Sequence, residues 1–326
     1  MTRVLSGIQP TGRAHLGNYV GAIQNWVKLQ NQHECFFFIA DLHALTTVYE
    51  NTQNIAEDSF QLAVDLLAAG LDSSKCTLFL QSHVPEHAEL HLIFSMFTPL
   101  GWLERVPSYK DKMAEMKSTD LHTYGFLGYP VLQAADILLY KADYVPVGKD
   151  QLPHLELTRE IGRRFNHLYK GSFPEPAALM TEVSFLPGTD GRKMSKSYHN
   201  TLPLSDPAET VHAAVLKMTT DPARVRRNDP GDPEKCPVFT YHKLFSPIDK
   251  QAWVVEGCKS AGIGCRDCKT ELLKHYDAHF AAYRERRAAL LSDKQQVLSI
   301  LEAGTTKARA VAKQTLDEVK LALRLV

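Results

Sequence analysis

From Arg3 to about residue 185, short apolar runs alternate with longer stretches in which apolar positions recur every three or four residues. Runs that short fit buried strands, and the longer period fits helices that bury one side. The predicted strands are Arg3–Ser6, Phe36–Ala40, Thr77–Gln81 and Tyr144–Val147; the predicted helices are Leu16–Gln30, Gln53–Ala69, Pro85–Thr98 and Gln151–Phe165. Alternation of this kind predicts an α/β fold, a Rossmann-like parallel sheet covered by helices. Ligands of such sheets gather beyond the carboxyl ends of the strands. His15, Asp41 with His43, and Gly148 with Asp150 and Gln151 all follow such ends.

Beyond about residue 190 the pattern changes. A proline-rich stretch from Pro203 to Pro247 gives way to helical periodicity over Thr270–Ser292, Lys294–Ala303 and Thr305–Val326, with Gly304 as the expected stop between the last two. The simplest partition is a sheet domain over 1–190 and an all-helical C-terminal domain over 191–326. The chain of 326 residues, 44% hydrophobic, suffices for both cores.

Formal net charge is zero, so a polyanionic partner must be met by local basic groups and not by the overall field. Arg224, Arg226, Arg227 and the Arg284–Arg287 stretch are the candidates. The first residues enter a strand without the basic flank and long apolar core of a signal peptide, and Cys35–Ala40 is too short to cross a bilayer. The expectation is a cytoplasmic protein without membrane association.

Two segments carry chemistry. Gly7-Ile8-Gln9-Pro10-Thr11-Gly12 forms a tight turn before His15-Leu16-Gly17-Asn18, where a helix begins. Free backbone N–H groups and the helix N-terminus favour an anion there. Pro187-Gly188-Thr189-Asp190-Gly191-Arg192 then supplies two glycines, and so hinge freedom, ahead of Lys193-Met194-Ser195-Lys196-Ser197. Its two ammonium groups suit closure over a triphosphate. Either segment alone is common. The two in this order resemble the signature motifs of class I aminoacyl-tRNA synthetases, which implies an ATP site, accompanied by Mg2+, with His15, Asn18, Lys193 and Lys196 as its catalytic groups.

A third segment, Tyr129 to Tyr140, puts Tyr129, Gln133, Asp136 and Tyr140 on one face of an otherwise apolar helix. A core helix whose polar groups pair with nearby loops gives this pattern, and so does a recognition face. With Ser6–Gly12 and Val145-Pro146-Val147-Gly148-Lys149-Asp150-Gln151, the segment is similar to bacterial tryptophanyl-tRNA synthetases, a resemblance that runs essentially end to end. It implies ATP contacts for Gln9, Gly17, Asn18, Gly148, Asp150, Gln151 and the Lys193, Met194, Ser195, Lys196 loop, with Lys112 approaching the phosphates. It also implies a tryptophan pocket shaped by Leu5, Gly7, His43, Tyr129, Gln133, Asp136, Val145 and Val147. His43 by itself reads as a satisfied core or loop histidine. Leu5 stands where other members carry an aromatic residue, and Gln133 where some carry methionine.

Asp136 is expected to read the side chain. An indole N–H buried without an acceptor costs about 1–3 kcal/mol, and a carboxylate satisfies it. Selectivity then comes from binding, without proofreading. Tryptophan, ATP and tRNA(Trp) are the expected partners, and the resemblance implies a homodimer. Gln133 and Asp136 would serve a phenol equally, so a tyrosyl-tRNA synthetase is the alternative. A nucleotidyltransferase sharing the N-terminal motif and a non-catalytic synthetase-like protein are more distant rivals.

Cys236, Cys258, Cys265 and Cys268 crowd into the helical part. The Cys265-Arg266-Asp267-Cys268 pair has the reach to bind one centre through two thiolates, and four thiolates suit zinc or a [4Fe-4S] cluster alike. Buried free thiols are the other reading. Some bacterial tryptophanyl-tRNA synthetases resemble this pattern and carry a [4Fe-4S] cluster near the anticodon-recognition region, which implies a structural cluster here.

Overall fold

A computed structural model describes residues 1–107, 120–180 and 186–325. Its sheet has five strands, β1 (Arg3–Ile8), β2 (Glu34–Ile39), β3 (Cys76–Leu80), β4 (Tyr144–Val147) and β5 (Ala177–Met180), all parallel in the order β3-β2-β1-β4-β5. Strand β2 explains why the pattern reads as it does. Phe36, Phe37 and Phe38 are all buried because helices cover both faces, so the strand shows a continuous apolar run without alternation. Trp26 stacks on Phe37 at 4.5 Å, and Phe36 packs on Tyr140 at 4.9 Å. Strand β5 escaped prediction because it is a partly exposed edge whose apolar run, Ala177–Met180, is only four residues long.

The helices are α1 (Leu16–Asn18), α2 (Gln24–Leu29), α3 (Asp41–Val48), α4 (Ile55–Ala68), α5 (Glu86–Ser95), α6 (Leu100–Leu103), α7 (Tyr124–Leu139), α8 (Leu152–Tyr169), α9 (Ala208–Lys217), α10 (Pro237–Phe245), α11 (Ile248–Lys259), α12 (Cys265–Ser292) and α13 (Lys294–Ala322). A π-helical turn, Tyr19–Ile23, joins α1 to α2. Thr123 starts α7 by accepting a bond from the Phe126 N–H, and the helix is buried nearly all round.

Gly304 does not stop a helix. α13 runs through it from Lys294 to Ala322, started by Asp293, whose carboxylate accepts from the Gln296 N–H. A Cβ on Gly304 would fall 1.8 Å from the Leu78 carbonyl oxygen. The residue is glycine because the helix backbone lies directly against edge strand β3.

Two compact units emerge, and no single cut at 190 describes them. One comprises Met1–Gly12, Asn25–Glu182 and Ser292–Val326; the other comprises Arg13–Gln24 and Val183–Leu291. Helix α13 thus belongs with the sheet, while the His15 segment belongs with the largely helical second unit. Ion pairs Arg309–Glu86 and Lys320–Glu89 accompany the apolar packing of α13 in the sheet unit. Among the described residues, no helix is long and apolar enough to cross a membrane.

Candidate active site

Within the sheet unit, a cavity of about 240 Å³ opens at the carboxyl ends of β1 and β4. Leu5, Gly7, Gln9, His43, Tyr129, Gln133, Asp136, Val145, Val147 and Gln151, all expected in the site, line it together. Gly7 is there for close approach, since a Cβ would meet the Phe38 ring at 2.4 Å. Gly148 and Asp150 sit in the short turn between β4 and α8, where Asp150 Oδ1 would lie 2.6 Å from a Cβ on Gly148. Lys112 lies outside the described residues.

Asp136 is the electrostatic centre of this cavity and is 1% exposed. His43 Nε2 donates to its Oδ2 at 2.8 Å, while Gln81 Nε2 and His87 Nδ1 donate to its Oδ1 at 2.7 and 2.6 Å. Burial alone would raise the carboxyl, but the attraction of His43 and the bonds from His43 and His87 outweigh it and hold the group well below the usual carboxylate range. Asp136 is therefore an anion with three fixed donors. Tyr129 Oη lies 2.7 Å from His154 Nε2, and His154 also lines the cavity. Sequence reasoning missed Gln81, His87 and His154. His154 and Gln81 follow the ends of β4 and β3, the same signal that picked out Gln151, whereas nothing in the pattern distinguishes His87 from core residues.

Within the second unit, the two signature segments meet. His15 and Asn18 cap α1 reciprocally: the His15 ring accepts from the Asn18 N–H at 3.3 Å, and Asn18 Oδ1 accepts from the His15 N–H at 3.0 Å. The Gly17 N–H points at Met194 Sδ, 3.2 Å away. Backbone bonds Leu16 N–H to Leu202 O and Leu204 N–H to Ala14 O tie the segment to the chain following the lysines. Burial, and then the Lys196 ammonium, lower His15 to about 4, so its imidazole is neutral at physiological pH.

Buried Asn200 pins the lysine loop by accepting from the Ser195 N–H at 2.8 Å and donating to Lys193 O at 3.0 Å and Asp190 Oδ1 at 2.7 Å. Here the expectation of hinge freedom needs correction. A Cβ on Gly188 would fall 2.3 Å from the Asn200 amide, and Gly191 holds a φ of 83°. Both glycines have fixed steric tasks in a bonded loop. The Lys193 side chain is exposed, and Lys196 is half-buried near His15.

Cys236, Cys258, Cys265 and Cys268 line one small cavity in the second unit, with Arg224 and Lys269 on its wall. Burial, and then the other three thiols, push Cys268 up to about 12. Among the described residues, no group of three or more His, Cys, Asp or Glu side chains is arranged to hold a metal ion. Arg224 is no candidate for an RNA-facing surface. Its guanidinium is buried, donating to Arg227 O at 2.9 Å and Ile263 O at 2.6 Å and approaching Cys258 Sγ at 3.7 Å, while its Nε has no partner.

The family model described as tRNA synthetases class I (W and Y) matches residues 1–281. A tryptophan--tRNA ligase of Thermotoga maritima is 52% identical over 326 residues, 99% of each chain. The solved tryptophanyl-tRNA synthetase of Campylobacter jejuni, complexed with ADP and tryptophan, superimposes with a TM-score of 0.89 at 38% identity, covering 99% of both chains. A tyrosyl-tRNA synthetase of Archaeoglobus fulgidus matches less well, with a TM-score of 0.67 at 25% identity over 88% of this chain and 90% of its own. The chain belongs to the class I tRNA synthetases, and within them to the tryptophan--tRNA ligases.

Proposed function

We infer that this chain joins L-tryptophan to ATP, forming tryptophanyl-adenylate and pyrophosphate, and passes the tryptophanyl group to tRNA(Trp) with release of AMP. The observation that carries the reading is the cavity around Asp136. Gln81 and His87 occupy Oδ1 and His43 takes one position on Oδ2, so one acceptor position on Oδ2 remains for a ligand donor. An indole N–H fits that single vacancy. Tyrosine is the rival, and the weaker likeness to the tyrosine enzyme counts against it. Pyrophosphate exchange run with tryptophan and tyrosine side by side, followed by tRNA charging, tests the reading; exchange driven by tyrosine alone would overturn it.

The chemistry needs no covalent nucleophile on the protein. The amino-acid carboxylate attacks the α-phosphate, pyrophosphate leaves, and the 2′-hydroxyl of the terminal ribose captures the adenylate. Neutral His15 and Asn18 offer hydrogen bonds to the phosphates. Lys193 and Lys196 offer the positive charge that builds value as the leaving group becomes more negative. Gln9, Gly148, Asp150 and Gln151 are assigned to the nucleotide, and Leu5, Gly7, Val145 and Val147 to the walls around the indole. Mg2+ accompanying ATP would share the phosphate charge.

The four cysteines are assigned to a [4Fe-4S] cluster of structural role. One feature of the residues fits it. Among the described residues, buried Arg224 and Lys269 face the cavity bonded to backbone carbonyls and to no carboxylate, so an anionic tetrathiolate centre would balance them. A homodimer is supported by exposed Leu92, Met96, Leu100 and Tyr124 on α5 and its C-cap, α6 and α7, where α7 packs on both of the others, apolar surface that a second copy would cover. A task on tRNA fits the cytoplasm as its compartment.

A further inference from the structure

Asp136 meets the ligand cavity, yet the groups that fix it do not all do so. His87, the second residue of α5, has no exposed surface and does not line the cavity. Its Nδ1 lies 2.6 Å from Asp136 Oδ1 and its Nε2 2.9 Å from Tyr140 Oη. Tyr140 is also fully buried, and His87 Nε2 is the hydrogen-bond partner of its hydroxyl. A buried phenol must donate its proton, which makes Nε2 the acceptor and leaves the imidazole proton on Nδ1, facing Asp136. The ring packs in tilted contacts on Phe38, Phe79 and Tyr140, at 5.9, 6.0 and 5.4 Å.

We propose that His87, its tautomer set by Tyr140, is a specificity-determining positioning residue: with Gln81 it fills Oδ1 of Asp136, so that only Oδ2 can accept from a bound amino acid. The assignment rests on the tryptophan reading above. It goes beyond that reading because it locates selectivity one layer behind the cavity wall. Without the Nδ1–H, Oδ1 keeps only Gln81 and regains an acceptor position, so a donor can address either oxygen of the carboxylate. Its preference for a ligand N–H then weakens even though Asp136 and every cavity-lining residue are unchanged.

The test compares tryptophan with L-benzothienylalanine, in which sulfur replaces the indole N–H at nearly the same shape. Pyrophosphate exchange gives kcat/KM for each in the wild type, His87→Leu, His87→Asn and Tyr140→Phe. His87→Leu should reduce the preference for tryptophan by at least about tenfold, chiefly through KM, and Tyr140→Phe by less. His87→Asn, whose amide N–H stands in for Nδ1–H, should restore most of it. A packing defect would weaken both substrates by one common factor. That result, or an unmoved ratio in folded variants, overturns the proposal. If His87→Leu fails to fold, Tyr140→Phe decides, because it removes a single oxygen. Absence of tryptophan-dependent exchange in the wild type would overturn the functional reading and this assignment with it, whereas an unmoved ratio in an active background overturns this assignment alone.

Discussion

His15 shows how one residue serves two tasks. As cap of α1 it accepts a backbone bond, and as a buried imidazole near Lys196 it stays neutral. The unfolded chain carries the histidine at its ordinary value of 6.5, against about 4 in the fold. Between those values the unfolded state binds a proton that the native state refuses, so stability rises with pH across the window. The contribution is complete above 6.5 and is lost as pH falls towards 4. Denaturant midpoints of wild type and His15→Asn, measured from pH 4 to 7, should lie close at pH 7 and separate on acidification, wild type falling relative to the variant, since asparagine keeps the cap and removes the titration. Parallel curves would contradict the burial of His15. At this scale the sequence was informative wherever a residue lies in a motif or at a strand end. Asp136 stood out as a carboxylate on a predicted apolar helix. Gln81 stands at a strand end that does not show what it holds, and His87 leaves no local periodic trace, because each is satisfied by a partner 55 or 49 positions away.

Elements were legible in proportion to how much of their pattern is local. Four strands could be placed because parallel, doubly covered strands read as apolar runs; β5 could not, because its four residues are only partly buried and their run is too short to stand out, whereas the other edge strand, β3, is covered and legible. Glycine is ambiguous in a helical pattern, as a stop or as a point of close approach, and periodicity cannot choose between them. For Gly304 the choice is made by β3, which packs on the helix from more than 200 positions away in the chain. Gly304→Ala should therefore destabilise the sheet unit, although alanine is the better helix former. The new Cβ would enter the space of the Leu78 carbonyl, and backbone cannot swing aside as a side chain does. Overpacking of this kind costs about 1–3 kcal/mol or more. Thermal unfolding measures it, and a variant as stable as wild type would mean that α13 does not lie so close to β3.

On the scale of the molecule, the cavity around Asp136 lies wholly in one unit, while His15–Asn18, the lysine loop and the four cysteines lie in the other. Residues 13–24 had to be assigned to the sheet by any reading of chain order, since only tertiary bonds such as Gly17 N–H to Met194 show their membership. The division predicts separable defects. Lys196→Ala should slow pyrophosphate exchange on the order of a hundredfold, as loss of one transition-state charge partner does, and leave tryptophan affinity by calorimetry unchanged. An unchanged exchange rate would remove Lys196 from the chemistry. Cys258→Ser makes the complementary test. Its thiol is the one that Arg224 approaches, and the buried guanidinium keeps an unpartnered Nε. If the cavity holds a cluster, replacing this ligand should lower iron and sulfide content after anaerobic purification and lower the melting temperature, because a structural centre contributes its binding energy to folding. Tryptophan affinity, which the proposed function assigns to Asp136 in the other unit, should stay as in wild type. Wild-type protein with intact reduced thiols and neither iron nor zinc would leave Arg224 and Lys269 as buried cations held by carbonyls, and would return the four cysteines to the role of core thiols.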